Sequence, residues 1–378
     1  MKTTAVVAQT LCSMLLIASV AQAQDVAGLK QLAQPLGLKI GFEISPSNLS
    51  EQVFRNTLIR EASASTMTTY WYLPNGDGGL DLNGRGTFSD VYGVHGAYDF
   101  RRPILVAEFC SENGIELHGH PLVWADDKYT PPWVLDVDRT HAISLLRNHV
   151  WSLVSEFKGD VRVWHVVNEA FDYEGNLVDC YWNRVLGPSS PKSVTPRFVT
   201  IAFQAASNAD RNAQLIYNDY GQEEVDPRKF NAIIRMMVNM QNRGLPIHGL
   251  GWQLHVNASQ VLAPDFPLEE RMNLVAQLGF DNYVTELDIV MDERNPDGTL
   301  PAPKSVYRLR DQSRQAAAYQ KITAIVLRAG RCKSMQLWGV SDKQSWLGAA
   351  RKPLLFDEFF RKKSAYQAVS DALSVVAP

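Results

Sequence analysis

The stretch His141–Glu169, HAISLLRNHVWSLVSEFKGDVRVWHVVNE, holds both halves of a repeating unit. Apolar residues recur at helical intervals from His141 to Phe157, Gly159 and Asp160 break the pattern, and Val161–Val167 follows as a β-branched run. The alternation extends in both directions. Strand-like runs stand at Leu38–Phe42, Glu116–His120, Gln214–Tyr217, Gly249–His255, Asn282–Ile289 and Met335–Val340, each bounded by Gly, Asn or Pro. Helical patterns fill Arg102–Asn113, Phe198–Ala209, Pro227–Asn242, Leu268–Leu278 and Gln312–Ala329. An eighth strand fits near Ala62–Thr69, which is β-branched but polar. Uninterrupted strand–helix units call for a parallel sheet covered by helices, and eight of them in a chain this long predict one α/β domain, a single (β/α)8 TIM barrel.

The chain begins with Met1-Lys2, an apolar stretch around Leu11–Val20, and then Ala21-Gln22-Ala23. A short positive region, an apolar centre and small residues before a cleavage point predict a signal peptide over residues 1–23, leaving residues 24–378 as the catalytic barrel domain, exported to the periplasm or the extracellular medium. No later stretch approaches membrane-spanning length, so no membrane partner is expected. Of 378 residues 46% are apolar and 20% charged, enough to bury a core and inconsistent with disorder or a fibre. A formal net charge of −3 supplies no positive field for a phosphate backbone, so nucleic acid is not an expected partner. Beyond the leader stand Cys110, Cys180 and Cys332, which allow at most one disulfide, match no zinc spacing and read as small buried hydrophobes. A monomer is expected.

Two carboxylates dominate the chemistry. Glu169 ends the run from Val161, and Glu286 ends Asn282-Tyr283-Val284-Thr285-Glu286. A carboxylate at the end of an apolar strand is costly unless it is paired or functional, and barrel enzymes assemble their sites from strand ends. Two such groups suit glycoside cleavage, which needs a protonated acid for the leaving oxygen and an ionised carboxylate to attack or to activate water. Salt-bridged glutamates would look the same on spacing alone. The neighbours favour chemistry: period two places Gln253 and His255 on one strand face and Asp288 beside Glu286, so that a His backed by an Asp would keep Glu286 ionised and aimed.

Sugars have apolar faces and polar edges, so a glycan cleft needs aromatic planes. Trp124, Trp338 and Trp346 follow strand-like runs, and His120 precedes Trp124 by four. Two rival metal readings exist. His118 and His120, with His255 and Asp288, could share an ion, but that leaves both Glu without work. Asn75, Asp77, Asp81 and Asn83 alternate in the glycine-rich segment Leu73–Tyr98, but no Glu closes a calcium loop there. Neither a metal nor an organic cofactor is expected. His141 and His149, in a helical stretch, read as surface residues. The segment Asp292–Pro303, with its Asn295-Pro296-Asp297-Gly298 turn, reads as a second wall of the site.

In order along the chain, Gly119-His120-Pro121-Leu122-Val123-Trp124, Trp164-His165-Val166-Val167-Asn168-Glu169-Ala170, Tyr217-Asn218-Asp219-Tyr220, Gly249-Leu250-Gly251-Trp252-Gln253-Leu254-His255, Val284-Thr285-Glu286-Leu287-Asp288, Leu337-Trp338-Gly339-Val340-Ser341-Asp342-Lys343-Gln344-Ser345-Trp346 and Pro353-Leu354-Leu355-Phe356-Asp357 resemble the motifs of glycoside hydrolase family 10, the retaining endo-β-1,4-xylanases. The resemblance runs from Leu38 to the C-terminus and implies a (β/α)8 barrel with the acid/base on strand 4 and the nucleophile on strand 7. It implies Glu169 as general acid/base and Glu286 as nucleophile, with His255 and Asp288 supporting the latter. Asn168 and Gln253 would hold the 2-hydroxyl region of the sugar before the cleaved bond. His120, Trp124, Trp338, Trp346 and Tyr220 would contact sugar. The implied partner is a xylan-like polysaccharide or oligosaccharide, cut by double displacement.

Departures from the pattern bear on the substrate. The family's second strand normally ends in a Glu-Asn-Glu-Met-Lys-Trp type segment, whereas the corresponding stretch here is Ser63-Ala64-Ser65-Thr66-Met67-Thr68-Thr69-Tyr70-Trp71-Tyr72, with no lysine between Lys39 and Lys128. Hydrogen bonds to charged groups contribute about 1.5–3 kcal/mol each, so their loss predicts weaker binding on the glycone side by an order of magnitude or more. Tyr70, Trp71 and Tyr72 would rebuild or block that side. His165 stands where the family usually has Asp, and Ala125 where it usually has His; an imidazole there is expected to lower the proton affinity of Glu169. A non-catalytic glycan binder and a hydrolase of another β-linked glycan are the alternative functions.

Overall fold

The computed structural model describes residues 27–69, 100–187, 194–295 and 299–375. The predicted leader, the Leu73–Tyr98 segment with its calcium reading, Tyr70, Trp71 and Tyr72, and most of the Asn295–Gly298 turn lie outside those residues. Eight strands form the barrel: β1 Lys39–Ile44, β2 Ala64–Thr68, β3 Glu116–His120, β4 Val161–Asn168, β5 Gln214–Asp219, β6 Gly249–Trp252, β7 Asp281–Val290 and β8 Cys332–Leu337. Each pairs in parallel with the next, and β8 pairs with both β7 and β1, which closes the cylinder. Register pairs include Gly41 with Ala64, Ser65 with Leu117 and Met335 with Val284. This is the (β/α)8 barrel read from the sequence, with β2 at the polar segment expected to supply the eighth strand.

The pattern of burial follows from the alternation of side chains along a strand. Outward residues such as Phe42, Leu117, Trp164, Leu215 and Leu250 join one large apolar cluster with the surrounding helices. Inward, Val163, Ile216 and Tyr283 form a small separate cluster in the lumen. Above it the filling turns polar: Thr66 donates its hydroxyl to Gln336 at 3.0 Å, and the Gln336 amide bonds His118 Nδ1 at 2.8 Å. Among the described residues no helix is long and apolar enough to cross a membrane.

Three details differ from the sequence reading. Gly249–His255 is not one strand. Leu254 takes a left-handed backbone with φ of 59°, which ends β6 at Trp252 and starts a short separate strand at His255–Asn257. The last strand begins earlier and ends earlier than Met335–Val340, because Gly339 turns the chain at φ 127°. His149 is fully buried rather than on the surface. It lies on the apolar stripe Ala142, Leu146, Val150, Leu153 of the helix Arg139–Glu156, and its Nε2–H donates to the Leu122 carbonyl at 3.0 Å. Burial pushes its pKa down to about 3, so the ring is neutral and serves as a brace under the segment that carries Trp124. His141 stays exposed beside its N-cap Asp138, as expected. Cys110 and Cys180 are buried, Cys332 is half-buried, and all three are free thiols.

One buried acid ties the chain ends to the barrel. Glu61, at the end of the helix Gln52–Glu61, accepts from the Leu29 backbone N–H at 2.8 Å and from the Tyr366 hydroxyl at 2.9 Å, joining the first and last described helices. Glu61→Ala leaves both donors buried without acceptors, so it is expected to lower stability by about 2–4 kcal/mol. Thermal unfolding checks this, with activity well below the melting transition expected to be unchanged.

Candidate active site

Both carboxylates reach the same end of the barrel. Glu169 follows β4 in a left-handed conformation, φ 59°, which a non-glycine residue adopts at a cost and only when its surroundings fix it. Here the fixing contact is its N–H on the Asn218 carbonyl at 3.0 Å. Glu286 lies within β7 and is nearly fully buried.

A chain of amides connects the two acids. The Asn168 and Gln253 side-chain amides donate to Glu169 Oε1 at 2.9 and 2.8 Å. Gln253 also donates to Asn168 Oδ1 at 3.1 Å. Asn218 Nδ2 donates both to Asn168 Oδ1 at 2.8 Å and to Glu286 Oε1 at 2.7 Å, and Thr285 Oγ1 donates to Asn218 Oδ1 at 2.7 Å. Gly251 makes this possible: a Cβ there would stand 2.2 Å from Asn218 Oδ1, so any side chain would push the amide off Glu286. Asn218 belongs to a motif read from the sequence, yet its tie to both acids was not anticipated.

The environments drive the two carboxyls apart. Burial, with the neighbouring Asp219 and Glu286 charges, raises Glu169 to about 7 against the pull of its Gln253 and Trp124 hydrogen bonds. Burial would raise Glu286 as well, but His120, His255 and Asn218 bring it below its ordinary 4.5. His255 donates Nε2–H to Glu286 Oε2 at 3.2 Å and Nδ1–H to Asp288 Oδ2 at 2.9 Å. Burial opposes charge on that ring, yet Asp288 and Glu286 raise it to about 10, so it remains a cation across the working range. The Leu254 turn, rather than period two, brings Gln253 and His255 to their partners. His255→Asn removes that cation and is expected to raise the Glu286 pKa, moving an acid limb of kcat/KM governed by Glu286 upward in pH, and an unmoved limb would contradict the arrangement.

His165 does not act as its position suggested. Burial holds its pKa well below 6.5, so it is neutral, and its Nδ1 meets His120 Nδ1 at 3.0 Å. The groups that set Glu169 are Asp219, Gln253, Glu286 and Trp124, and the net effect raises its proton affinity. The expected lowering is relative to an aspartate at position 165, and with a neutral ring there it comes from the absence of that negative charge.

Behind Glu169, Asp219 is buried against Lys229 Nζ at 2.8 Å and accepts from the Tyr217 hydroxyl, which itself accepts the Ala170 N–H at 2.9 Å. A buried lysine on the helix Arg228–Asn242 was not legible from the chain. Tyr220 lies over Lys229, its ring 3.7 Å from Nζ, and burial, helped by the Glu169 charge, pushes its phenol up.

The aromatic residues divide by role. Trp124 donates Nε1–H to Glu169 Oε2 at 2.9 Å, and one face is covered by Tyr129 at 3.9 Å, so it steers the acid as well as facing the cleft. Trp338 meets His120 edge to face at 5.0 Å. Trp346 is 60% exposed, anchored by its Nε1–H on Asp288 at 2.8 Å and packed edge to face with the His255 ring at 5.1 Å. Among the described residues, one group, His120, His165 and Glu286, has potential metal-ligand atoms within 4.8 Å of one another. His118 is not part of it, because its ring nitrogens face Gln336 and Glu116.

Comparison with known proteins agrees with this geometry. Residues 28–372 match the profile of Glycosyl hydrolase family 10. Endo-1,4-β-xylanase B of Thermotoga neapolitana is 28% identical over 367 residues, covering 93% of this chain and 92% of that protein. The crystal structure of native xylanase 10B from Thermotoga maritima aligns with TM-score 0.76 at 29% identity, over 92% of this chain and 98% of that one. Xylanase 10B from Thermotoga petrophila, solved with xylobiose, aligns with TM-score 0.76 at 28% identity, over 93% and 98%.

Proposed function

The chain belongs to glycosyl hydrolase family 10, and from that premise we propose a retaining, endo-xylanase-like enzyme that cleaves β-1,4 bonds in xylan or xylo-oligosaccharides by double displacement. That it is a glycoside hydrolase follows from the family; the finer reading rests on one observation. Two carboxyls joined through Asn168 and Asn218 are set to opposite protonation states, Glu169 at about 7 and Glu286 below 4.5. In the first step Glu286 attacks the anomeric carbon while Glu169 gives its proton to the leaving oxygen. In the second, Glu169 takes a proton from water, which attacks the same carbon and frees Glu286. The relatives named as endo-1,4-β-xylanases and the neighbour holding xylobiose support xylose-based substrates.

The glycone side is altered. β2 ends in Thr66, Met67 and Thr68, and Thr69 turns its hydroxyl to the Pro121 carbonyl at 3.0 Å, so no charged side chain of β2 faces the sugar. Short or aryl-substituted substrates are therefore expected to be cut more readily than polymer. Export with cleavage near Ala23 and action as a monomer complete the reading. The test is hydrolysis of aryl β-xyloside, aryl β-xylobioside and glucuronoxylan, with Glu169→Ala and Glu286→Ala as controls. Turnover of the aryl substrates and slow release from polymer are expected; turnover of none would favour a glycan binder or a different β-linked glycan.

A further inference from the structure

A third acid stands at the mouth of the barrel, and the chemistry above gives it no part. Glu43 is the fifth residue of β1, two beyond Gly41. Position 41 faces the lumen, since a Cβ there would stand 2.7 Å from the Gln336 side chain, and Gln336 bonds Thr66 and His118 inside the barrel. Period two therefore turns Glu43 inward as well, at the end of the strand where Glu169 and Glu286 lie. On one side it is in register with Thr66 of β2. On the other, Phe42 pairs with Leu337 of β8, so the next residues along are Glu43 and the partly exposed Trp338.

Three properties distinguish this carboxyl. It is half-buried, so it reaches the cleft and is not sealed in the core. Among the described residues, no hydrogen-bond donor meets it, although the other acids of the site each have one or more. Burial, with the Glu286 charge nearby, pushes it up to about 7. An acid so desolvated, and opposed by a like charge, is costly to keep without a partner. The ends of β1 and β2 offer no other ionisable side chain between Phe42 and Ile44 or between Ala64 and Thr69. An indole plane next to a carboxylate with open acceptor oxygens is an arrangement that stacks a pyranose and holds the hydroxyls on its edge.

We propose that Glu43 is a specificity-determining residue that accepts hydrogen bonds from a vicinal pair of hydroxyls on the sugar bound on the non-reducing side of the cleaved bond. This rests on the glycosidase reading and names what grips the glycone where β2 supplies only threonines. The test compares wild type, Glu43→Ala and Glu43→Gln on aryl β-xylobioside and its monodeoxy analogues, after a panel of aryl β-xyloside, β-glucoside and β-mannoside has shown which glycone the wild type accepts. Glu43→Ala is expected to lower kcat/KM about 10- to 100-fold, with Glu43→Gln intermediate. Deoxygenation at the hydroxyls that Glu43 holds is expected to cost the wild type activity and cost Glu43→Ala nothing further. Thermal unfolding establishes that the variants fold, and Glu43→Gln, nearly isosteric, decides the matter if Glu43→Ala does not. Unchanged kcat/KM, or deoxy penalties equal in wild type and variant, would overturn the proposal. If the wild type prefers a glycone other than xylose, the xylanase reading falls, while the same comparison on that glycone's deoxy series still decides the role of Glu43. Turnover of no glycoside would overturn both.

Discussion

Glu286→Ala is expected to lower kcat on aryl β-xylobioside by at least about 10⁴-fold, a barrier increase of about 5.4 kcal/mol, because in the proposed mechanism its carboxylate attacks the anomeric carbon. The barrel is expected to stay folded, since Asp288 still holds His255 at 2.9 Å and Asn218 keeps its bond to Asn168 at 2.8 Å. The side chain removed leaves room beside the protonated His255, so azide is expected to restore turnover with an aryl leaving group. It would enter opposite the leaving group and give a glycosyl azide of inverted configuration. Loss of activity without rescue, accompanied by a lowered melting temperature, would instead mean that the substitution damaged the fold.

Glu169→Ala is expected to separate the two steps. Removing a general acid costs about 10²–10⁴-fold where the leaving group needs a proton, as in xylan. An aryl leaving group departs without one, so with such substrates the first step survives and the second, deprived of its base, becomes limiting; a burst of phenol followed by slow turnover is the expected trace. The pH profile changes in a defined direction. Glu169 must be protonated to act, so wild-type kcat/KM is full below its value of about 7 and falls as pH rises through it. Glu286 must be ionised, so activity falls on the acid side only below its lowered pKa. The Ala variant is expected to lose the basic limb and keep the acid one. A basic limb that persists near 7 would assign it to another group.

The barrel was legible because its signals are local. The β-branched runs, their bounding glycines and the helical stripes between them each lie within a few residues, and even polar β2 shows its Ser and Thr pattern. The two catalytic candidates were legible for a related reason, as acids ending apolar runs. What could not be read depends on closure or backbone conformation. Glu43 escaped because the apolar run ends at Phe42, whereas pairing with β2 carries the strand to Ile44 and places the acid at the mouth of the barrel. Leu254 gives no hint of its left-handed turn, which reroutes His255 onto Asp288. Lys229 has a polar helical context and becomes buried only because Asp219 comes to meet it. His149 is a different case: its spacing from Ala142, Leu146 and Leu153 already marked the apolar face, and the polar residue type masked the signal.

In the proposed double displacement Glu286 forms the bond to sugar and Glu169 moves the proton. A 2-deoxy-2-fluoro aryl β-xylobioside slows both steps but the second more, so the intermediate accumulates and can be digested and weighed. A fluoroxylobiosyl mass on the peptide containing Glu286, absent from Glu286→Ala, is the predicted result; a label on Glu169, or an unlabelled enzyme that still releases the aryl group at full rate, would contradict it.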